Sequence, residues 1–246
     1  MKRLLGLICV SVVLAGCSST SDGGRSRESA KIHTELAGVY FQRAQMGVAL
    51  DEVATALRAD SGYAPAYGVR GLIHMSLRED KEAEASFKKG LRLDKLDSDL
   101  QNNYGWFLCQ RGREKESVSH FLAALKNPLY RTPGLSYLNA GICSQKVGEV
   151  KDAEEFYQKA LVVQPELPRA LQGMAELNFE SGSYNAARKY FLKMSDKTNN
   201  LTAEQLWLGV RINRRLGDRN SEASYGMQLR KRYPDEPETQ KLMRGE

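Results

Sequence analysis

The sequence predicts an all-α fold: a right-handed superhelix of six helix-pair repeats, closed by a short C-terminal capping helix. Three observations predict it. Small residues fall at Ala37, Gly71, Gly105, Gly141, Ala175 and Gly209, with separations of 34, 34, 36, 34 and 34. Three further series keep the same period: Ala49, Ala83, Ser117, Ala153, Ala187 and Ala223; Val53, Phe87, Phe121, Tyr157, Phe191 and Met227; and Ala56, Gly90, Ala124, Ala160 and Met194. Finally, Pro and Gly fall between the apolar-periodic stretches. A period of this length marks a solenoid, because one helix pair cannot bury its own apolar stripe and needs neighbours.

The elements follow in order. Lys2 and Arg3 precede an apolar run from Leu4 to Ala15, too short to span a bilayer, which reads as a signal-peptide core over residues 1–16. It ends in Leu14-Ala15-Gly16-Cys17, which resembles the bacterial lipobox. That resemblance implies a mature chain starting at a Cys17 that carries palmitate-type acyl chains. Several chains anchor stably where one does not. Ser18 after the Cys, rather than Asp, implies sorting to the periplasmic face of the outer membrane. The competing reading is an ordinary cleaved signal that happens to carry a Cys.

Residues 17–29 hold Ser, Gly, Asp, Arg and Glu without a large apolar side chain, and are expected to form a flexible tether. The repeats then run over about 30–63, 64–97, 98–133, 134–167, 168–201 and 202–237, making residues 30–246 one domain. They match the tetratricopeptide repeat. The fourth is the most regular, with Tyr137, Gly141, Gly148, Ala153, Tyr157, Ala160 and Pro165 in place. Gly148 suits the left-handed residue that ends helix A, and Pro165 closes helix B. Two extra residues fall in the Lys126–Pro133 connection, and two more are expected around Gly217–Asn220. The first repeat lacks Gly at its turn and has Val53 where an aromatic is usual. Beyond Tyr233-Pro234-Asp235-Glu236-Pro237 a short helix caps the stack.

Charge and composition narrow the function. The chain carries 36 basic and 30 acidic residues; without residues 1–16, which include Lys2 and Arg3, the balance falls from +6 to +4. The charges are interspersed, as on solvated helix faces, and form no basic stripe for nucleic acid. No phosphate-binding loop, dinucleotide glycine pattern or nucleophile elbow occurs. Glu154-Glu155 reads as a solvated face. His33, His74 and His120 are far apart and have no zinc spacing, and His74 reads as a packed, hydrogen-bonded side chain. No catalytic residue, metal, cofactor or small-molecule substrate is expected.

Of the four Cys, Cys9 leaves with the signal and Cys17 takes lipid. Cys109 and Cys143 lie late on the A helices of the third and fourth repeats, in an oxidising compartment, so a disulfide is expected. Two buried free thiols are the alternative. What remains is the concave face. Its predicted partner-binding lining is Phe41, Leu72, Met75, Trp106 and Cys109 from the first three repeats and Leu135, Leu138 and Ile142 from the fourth. Arg169, Gln172 and Glu176 make the fifth polar. An apolar strip beside a polar one suits capture of a helix or an extended segment. Alternatively, single residues of the set only pack against neighbouring helices.

The run Asn102-Asn103-Tyr104-Gly105-Trp106-Phe107-Leu108-Cys109, followed by Gly141-Ile142-Cys143, resembles the type IV pilus biogenesis and stability lipoproteins of the PilF/PilW family. So do the stretch Leu208 to Arg219 and Ala223-Ser224-Tyr225-Gly226 before Tyr233-Pro234. The resemblance covers nearly all of the mature chain, and the Cys pair looks like that of the family's disulfide-bearing subset. It implies a pilotin: a lipoprotein that binds outer-membrane secretin subunits and promotes their localisation and multimerisation for the pilus machine. The other reading is an envelope adaptor that docks peptidoglycan-modifying enzymes.

Overall fold

The computed structural model describes residues 19–198 and 200–246. The signal segment 1–16 and Cys17 lie outside the described residues. Thirteen helices follow one another, with no strand among the described residues. The A helices are α1 (Ser19–Gln42), α3 (Ala64–Ser76), α5 (Ser98–Gln110), α7 (Pro133–Lys146), α9 (Pro168–Glu180) and α11 (Ala203–Leu216). The B helices are α2 (Met46–Ala59), α4 (Asp80–Leu93), α6 (Glu114–Ala124), α8 (Val150–Val163), α10 (Tyr184–Ser195) and α12 (Arg219–Arg232). The last helix, α13 (Pro237–Met243), packs on α11 and α12 with Leu242 over Gly226.

Local chemistry sets the helix starts. Pro stands in the first turn of α3, α7, α9 and α13, where its missing N–H costs nothing. Asp97 caps α5 by accepting from the Leu100 N–H at 2.9 Å. Thr202 and Gln205 form a reciprocal capping box on α11. Between A and B the chain reverses through one left-handed residue. It falls seven residues after the small residue in five repeats: Ala37 to Ala44, Gly71 to Arg78, Gly105 to Gly112, Gly141 to Gly148, and Ala175 to Gly182. In the sixth it falls eight after, from Gly209 to Gly217. Ala44 and Arg78 take φ of 57° and 64° without the freedom of glycine.

Helix pairs close by setting an aromatic ring on a small residue. A Cβ on Gly71 would meet the Phe87 ring, and one on Gly105 the Phe121 ring. One on Gly141 would lie 2.7 Å from Tyr157 Cδ1. Tyr157 also covers Gly173 of the next A helix, so one ring bridges two repeats. The backbones of successive A helices approach one another, whereas those of successive B helices stand apart among the described residues; α10 and α12 meet through the Phe191 and Tyr225 rings, 5.2 Å between centroids. Close A helices and splayed B helices curve the stack, with the A helices on the concave side.

A carboxylate ties the second and third repeats. Glu84 Oε1 accepts from Arg113 Nη1 and Lys88 Nζ, both at 2.8 Å, and from the Tyr104 hydroxyl at 3.0 Å. The Arg113 guanidinium first, then Lys88, holds the Glu84 carboxyl down at about 2.

Two expectations need correction. The tether is helical from Ser19, so α1 extends eleven residues beyond the predicted start of the first repeat. Nucleation is the costly step of helix formation. The docked part of α1, with Ala30 and Ala37 buried, supplies the nucleus, and Arg27 lies over the Tyr63 ring at 5.7 Å. In the sixth repeat, Ala223 is exposed and Met227 is 60% exposed. The inward face of α12 is carried by Tyr225, Gly226 and Leu229, so the turn holds one extra residue rather than two. The other two additional residues lie in the 125–132 connection, where Tyr130 is buried.

Two sets of measurements check this account. Gly141→Ala gains about 1 kcal/mol of helix preference, but the clash with a ring pinned on both sides costs up to about 3 kcal/mol. A net loss of about 1–2 kcal/mol in urea unfolding is expected, while Arg78→Gly gains about 0.5–1 kcal/mol by relieving a left-handed Arg. A depressed carboxyl stabilises above its ordinary range and loses that contribution as pH falls through its folded value. Stability should therefore decline between about pH 5 and pH 2, and Glu84→Gln should flatten part of that decline.

Candidate partner-binding groove

The concave face is built by the A helices, and its apolar and polar parts differ in depth. Phe41 is half-buried beside Ala37, Ala49 and Val53. Leu72 and Met75 pack on the cluster of Phe87, Leu100 and Phe107. Trp106 lies against the cluster of Cys109, Phe121, Ala140 and Cys143, and Ile142 against that of Tyr157 and Met174. All five are half-buried. Leu135 is 43% exposed, at the rim beside Val163 and Gln164. Leu138 is a correction: it is 5% exposed and belongs to the core with Tyr157, Ala160, Ala170 and Met174. The Tyr157 ring, seated between Gly141 and Gly173, and Met174 of α9 cover it. Cys109 is likewise fully buried and does not line the groove.

Cys109 and Cys143 are joined in a disulfide between α5 and α7, with Cα atoms 5.9 Å apart. Lys146 Nζ donates to the Cys109 carbonyl and pairs with Glu114 Oε1, both at 2.8 Å, reinforcing the same junction.

The polar part was only partly visible in the sequence. Arg169 is exposed, while Gln172 and Glu176 are half-buried. They join Ile142, Gln145, Tyr157 and Gly173 around one hollow on the concave face. A chain of hydrogen bonds runs across it. The Tyr157 hydroxyl donates to Gln145 Oε1 at 2.7 Å, and Gln145 Nε2 to Glu176 Oε2 at 3.5 Å. Gln172 Nε2 donates to Glu176 Oε1 at 2.8 Å, and Gln205 Nε2 to Gln172 Oε1 at 3.0 Å. Burial, then the Glu176 charge, pushes the Tyr157 phenol up, so it stays a donor. A second amide cluster sits under the third and fourth repeats. There Asn102 Oδ1 accepts from Ser136 Oγ and Asn139 Nδ2, each at 3.0 Å. Sequence reasoning missed Asn102, Asn139, Gln145 and Gln205. The available signal was amides recurring on helix A at near-repeat spacing.

The three His are scattered, as expected from their spacing. His33 Nδ1 is 2.6 Å from Glu52 Oε2, and His74 Nδ1 is 2.6 Å from Glu79 Oε2. His120 is 2.6 Å from Gln101 Oε1 and edge-on to the Tyr104 ring. Among the described residues no three His, Cys, Asp or Glu side chains are gathered to hold a metal. No helix among them is long and apolar enough to cross a membrane.

Comparison with known proteins places this geometry. Residues 64–95 match the tetratricopeptide repeat model. The chain is 28% identical over 239 residues to the type IV pilus assembly protein PilF of Pseudomonas aeruginosa, covering 95% of this chain and 94% of that one. The crystal structure of PilW, described as a widely conserved type IV pilus biogenesis factor, superposes with a TM-score of 0.80 at 33% identity, over 87% of this chain and 98% of that one. The solved Pseudomonas aeruginosa PilF superposes with a TM-score of 0.84 at 27% identity, over 90% and 100%.

The disulfide gives a direct check. Closing a loop of 34 residues is worth about 3–4 kcal/mol in the chain-entropy picture. Urea unfolding with and without reductant should differ by about that amount, and protein purified from an oxidising compartment should show neither thiol to alkylation. Two alkylated cysteines in the native, unreduced protein would contradict the link.

Proposed function

The chain belongs to the PilF/PilW family of type IV pilus biogenesis factors, and on that premise we propose that it acts as a pilotin. It is lipidated at Cys17, held at the periplasmic face of the outer membrane, and binds secretin subunits so that they localise and multimerise into the pilus exit ring. The observation that carries this reading is the likeness to PilW along almost the whole of both chains, at 33% identity. Supporting it, the concave face offers a hollow lined by Ile142, Gln145, Gln172 and Glu176. A shuttle needs an anchor and a binding face, and the lipobox-like Leu14-Ala15-Gly16-Cys17 supplies the first.

Deleting the gene should leave secretin as monomers and remove surface pili, with both restored by the wild-type chain. Cys17→Ala should fold normally, with unchanged thermal unfolding, yet fail to fractionate with the outer membrane. Unchanged secretin multimers in the deletion strain would sink the reading. Co-purification of the lipidated protein with a peptidoglycan hydrolase or synthase, in place of a secretin, would replace it with an envelope adaptor.

A further inference from the structure

The helix ends make two long edges of the stack, and the two differ. Along one lie the A-to-B turns; along the other lie the B-to-A connections, where every A helix begins. The three most exposed large apolar side chains among the described residues are Leu129 at 85%, Val162 at 82% and Leu96 at 79%, and all three stand on the second edge. Leu96 and Leu129 occupy the connections after α4 and α6, and Val162 is the last residue but one of α8. Leu96, Leu129 and Arg131 line one hollow there, and Arg131, Leu135 and Val163 line the next, so the apolar positions run on from the second connection to the fourth. A single exposed leucine is ordinary, whereas a row of apolar side chains marks a surface that something covers. The turns themselves hold the tips out. Asp94 Oδ1 accepts from the Leu96 N–H and Asn127 Oδ1 from the Leu129 N–H, each at 2.9 Å. The first connection repeats this turn with Asp60 Oδ1 and the Gly62 N–H at 2.8 Å. Such a turn asks for the Asp or Asn. Gly62 shows that it asks for no leucine two places on.

What covers the row follows from where the chain arrives. α1 runs in the same direction as the other A helices and so begins on this same edge, and Cys17 stands two residues before its first residue, Ser19. Arg27 lies over the Tyr63 ring and Gly24 lines the same hollow, which sets that part of α1 level with the first B-to-A connection. From Gly24 back to Ser19 is about 8 Å of helix, and two further residues add at most about 7 Å, so chain length allows no more than about 15 Å between Cys17 and the edge. The third and fourth repeats stand roughly 20–30 Å to the side of α1 at ordinary helix spacing. A tilt of the body therefore brings Leu96, Leu129 and Val162 down to the surface that holds Cys17. The charges on this edge are mixed, with Asp94, Asp97 and Asp99 beside Lys95, Lys126 and Arg131, so the contact is an apolar one.

We propose that the B-to-A edge lies on the phospholipid surface that holds the lipidated Cys17, with Leu96, Leu129 and Val162 inserted among the headgroups. This rests on the lipid-anchor reading above and on nothing about the secretin. With the helices standing on that edge, the groove opens sideways, along the membrane, rather than away from it.

The test uses the full lipidated protein in vesicles of phosphatidylethanolamine and phosphatidylglycerol whose acyl chains carry bromine near the headgroup. Leu129→Trp places a fluorescent side chain on the edge, and Val150→Trp places one at the opposite end of α8, where the side chain is also exposed. The unsubstituted protein gives the background from Trp106 and Trp207. Bromine should cut the added emission of Leu129→Trp at least twofold, in low and in high salt alike, and leave that of Val150→Trp unchanged. Adding Leu96→Ser and Val162→Ser to Leu129→Trp should restore at least half of the lost emission, because the tips hold one another down. If the protein floats with the vesicles but Leu129→Trp is not quenched, or if both positions are quenched alike, the edge proposal is wrong while the lipid anchor stands. Dimers that Leu129→Ser abolishes, with no quenching of Leu129→Trp, would assign the edge to a second copy of the chain instead. If the protein does not float at all, the anchor reading falls and the edge proposal falls with it.

Discussion

Everything in this molecule depends on one contact: an aromatic ring from a B helix lying on a residue with no room for more than a hydrogen or a methyl. Phe87 on Gly71, Phe121 on Gly105 and Tyr157 on Gly141 repeat it along the stack. The contact does two things. It buries a large apolar surface without a void, which is where most of the hydrophobic stabilisation of a helix pair comes from. It also fixes the distance between backbones, and a fixed distance is what lets identical pairs stack in register. Where the ring reaches the next repeat, as Tyr157 does to Gly173, the intra-repeat and inter-repeat interfaces become one interface.

The character of the groove follows from that distance. Small residues draw the A helices together on the inner side, so apolar side chains on this face are pulled into the helix seams. Leu138 disappears entirely, and Leu72, Met75, Trp106 and Ile142 are half-buried against core clusters. Amides at neighbouring positions cannot be buried alone without losing hydrogen bonds to water. They either pair with each other beneath the surface, as Asn102 and Asn139 do, or stay in the hollow, as Gln145 and Gln172 do. The inner face therefore grades from half-buried apolar side chains to an ordered polar strip.

How much of this was legible follows from the same physics. The period of 34 is a statement about small residues and aromatics, and it placed every helix pair and brought Cys109 and Cys143 onto adjacent helices. The sixth repeat went astray because its small and aromatic positions are ambiguous. Ala223 and Met227 fit the period by composition, but Tyr225 and Leu229 are the side chains that find partners. Residues 19–29 read as a tether because composition reports what a segment could do alone, and here the segment is continued from a docked helix. The groove was the least legible part. Period identifies which face a residue occupies, but whether it is accessible depends on how closely the next helix approaches.

The disulfide between α5 and α7 has a bearing on how the stack comes apart. A linear array has only nearest-neighbour couplings, so its natural failure is fraying: end units open first and the boundary walks inward one repeat at a time. A covalent bond between the third and fourth of six units places a pinned link at the midpoint of that walk. The two halves can breathe separately, each from its own end, while the junction on which both lean remains closed. The protein thus behaves as two short arms hinged to a common clasp, and the groove segments nearest the clasp keep their shape when the tips do not.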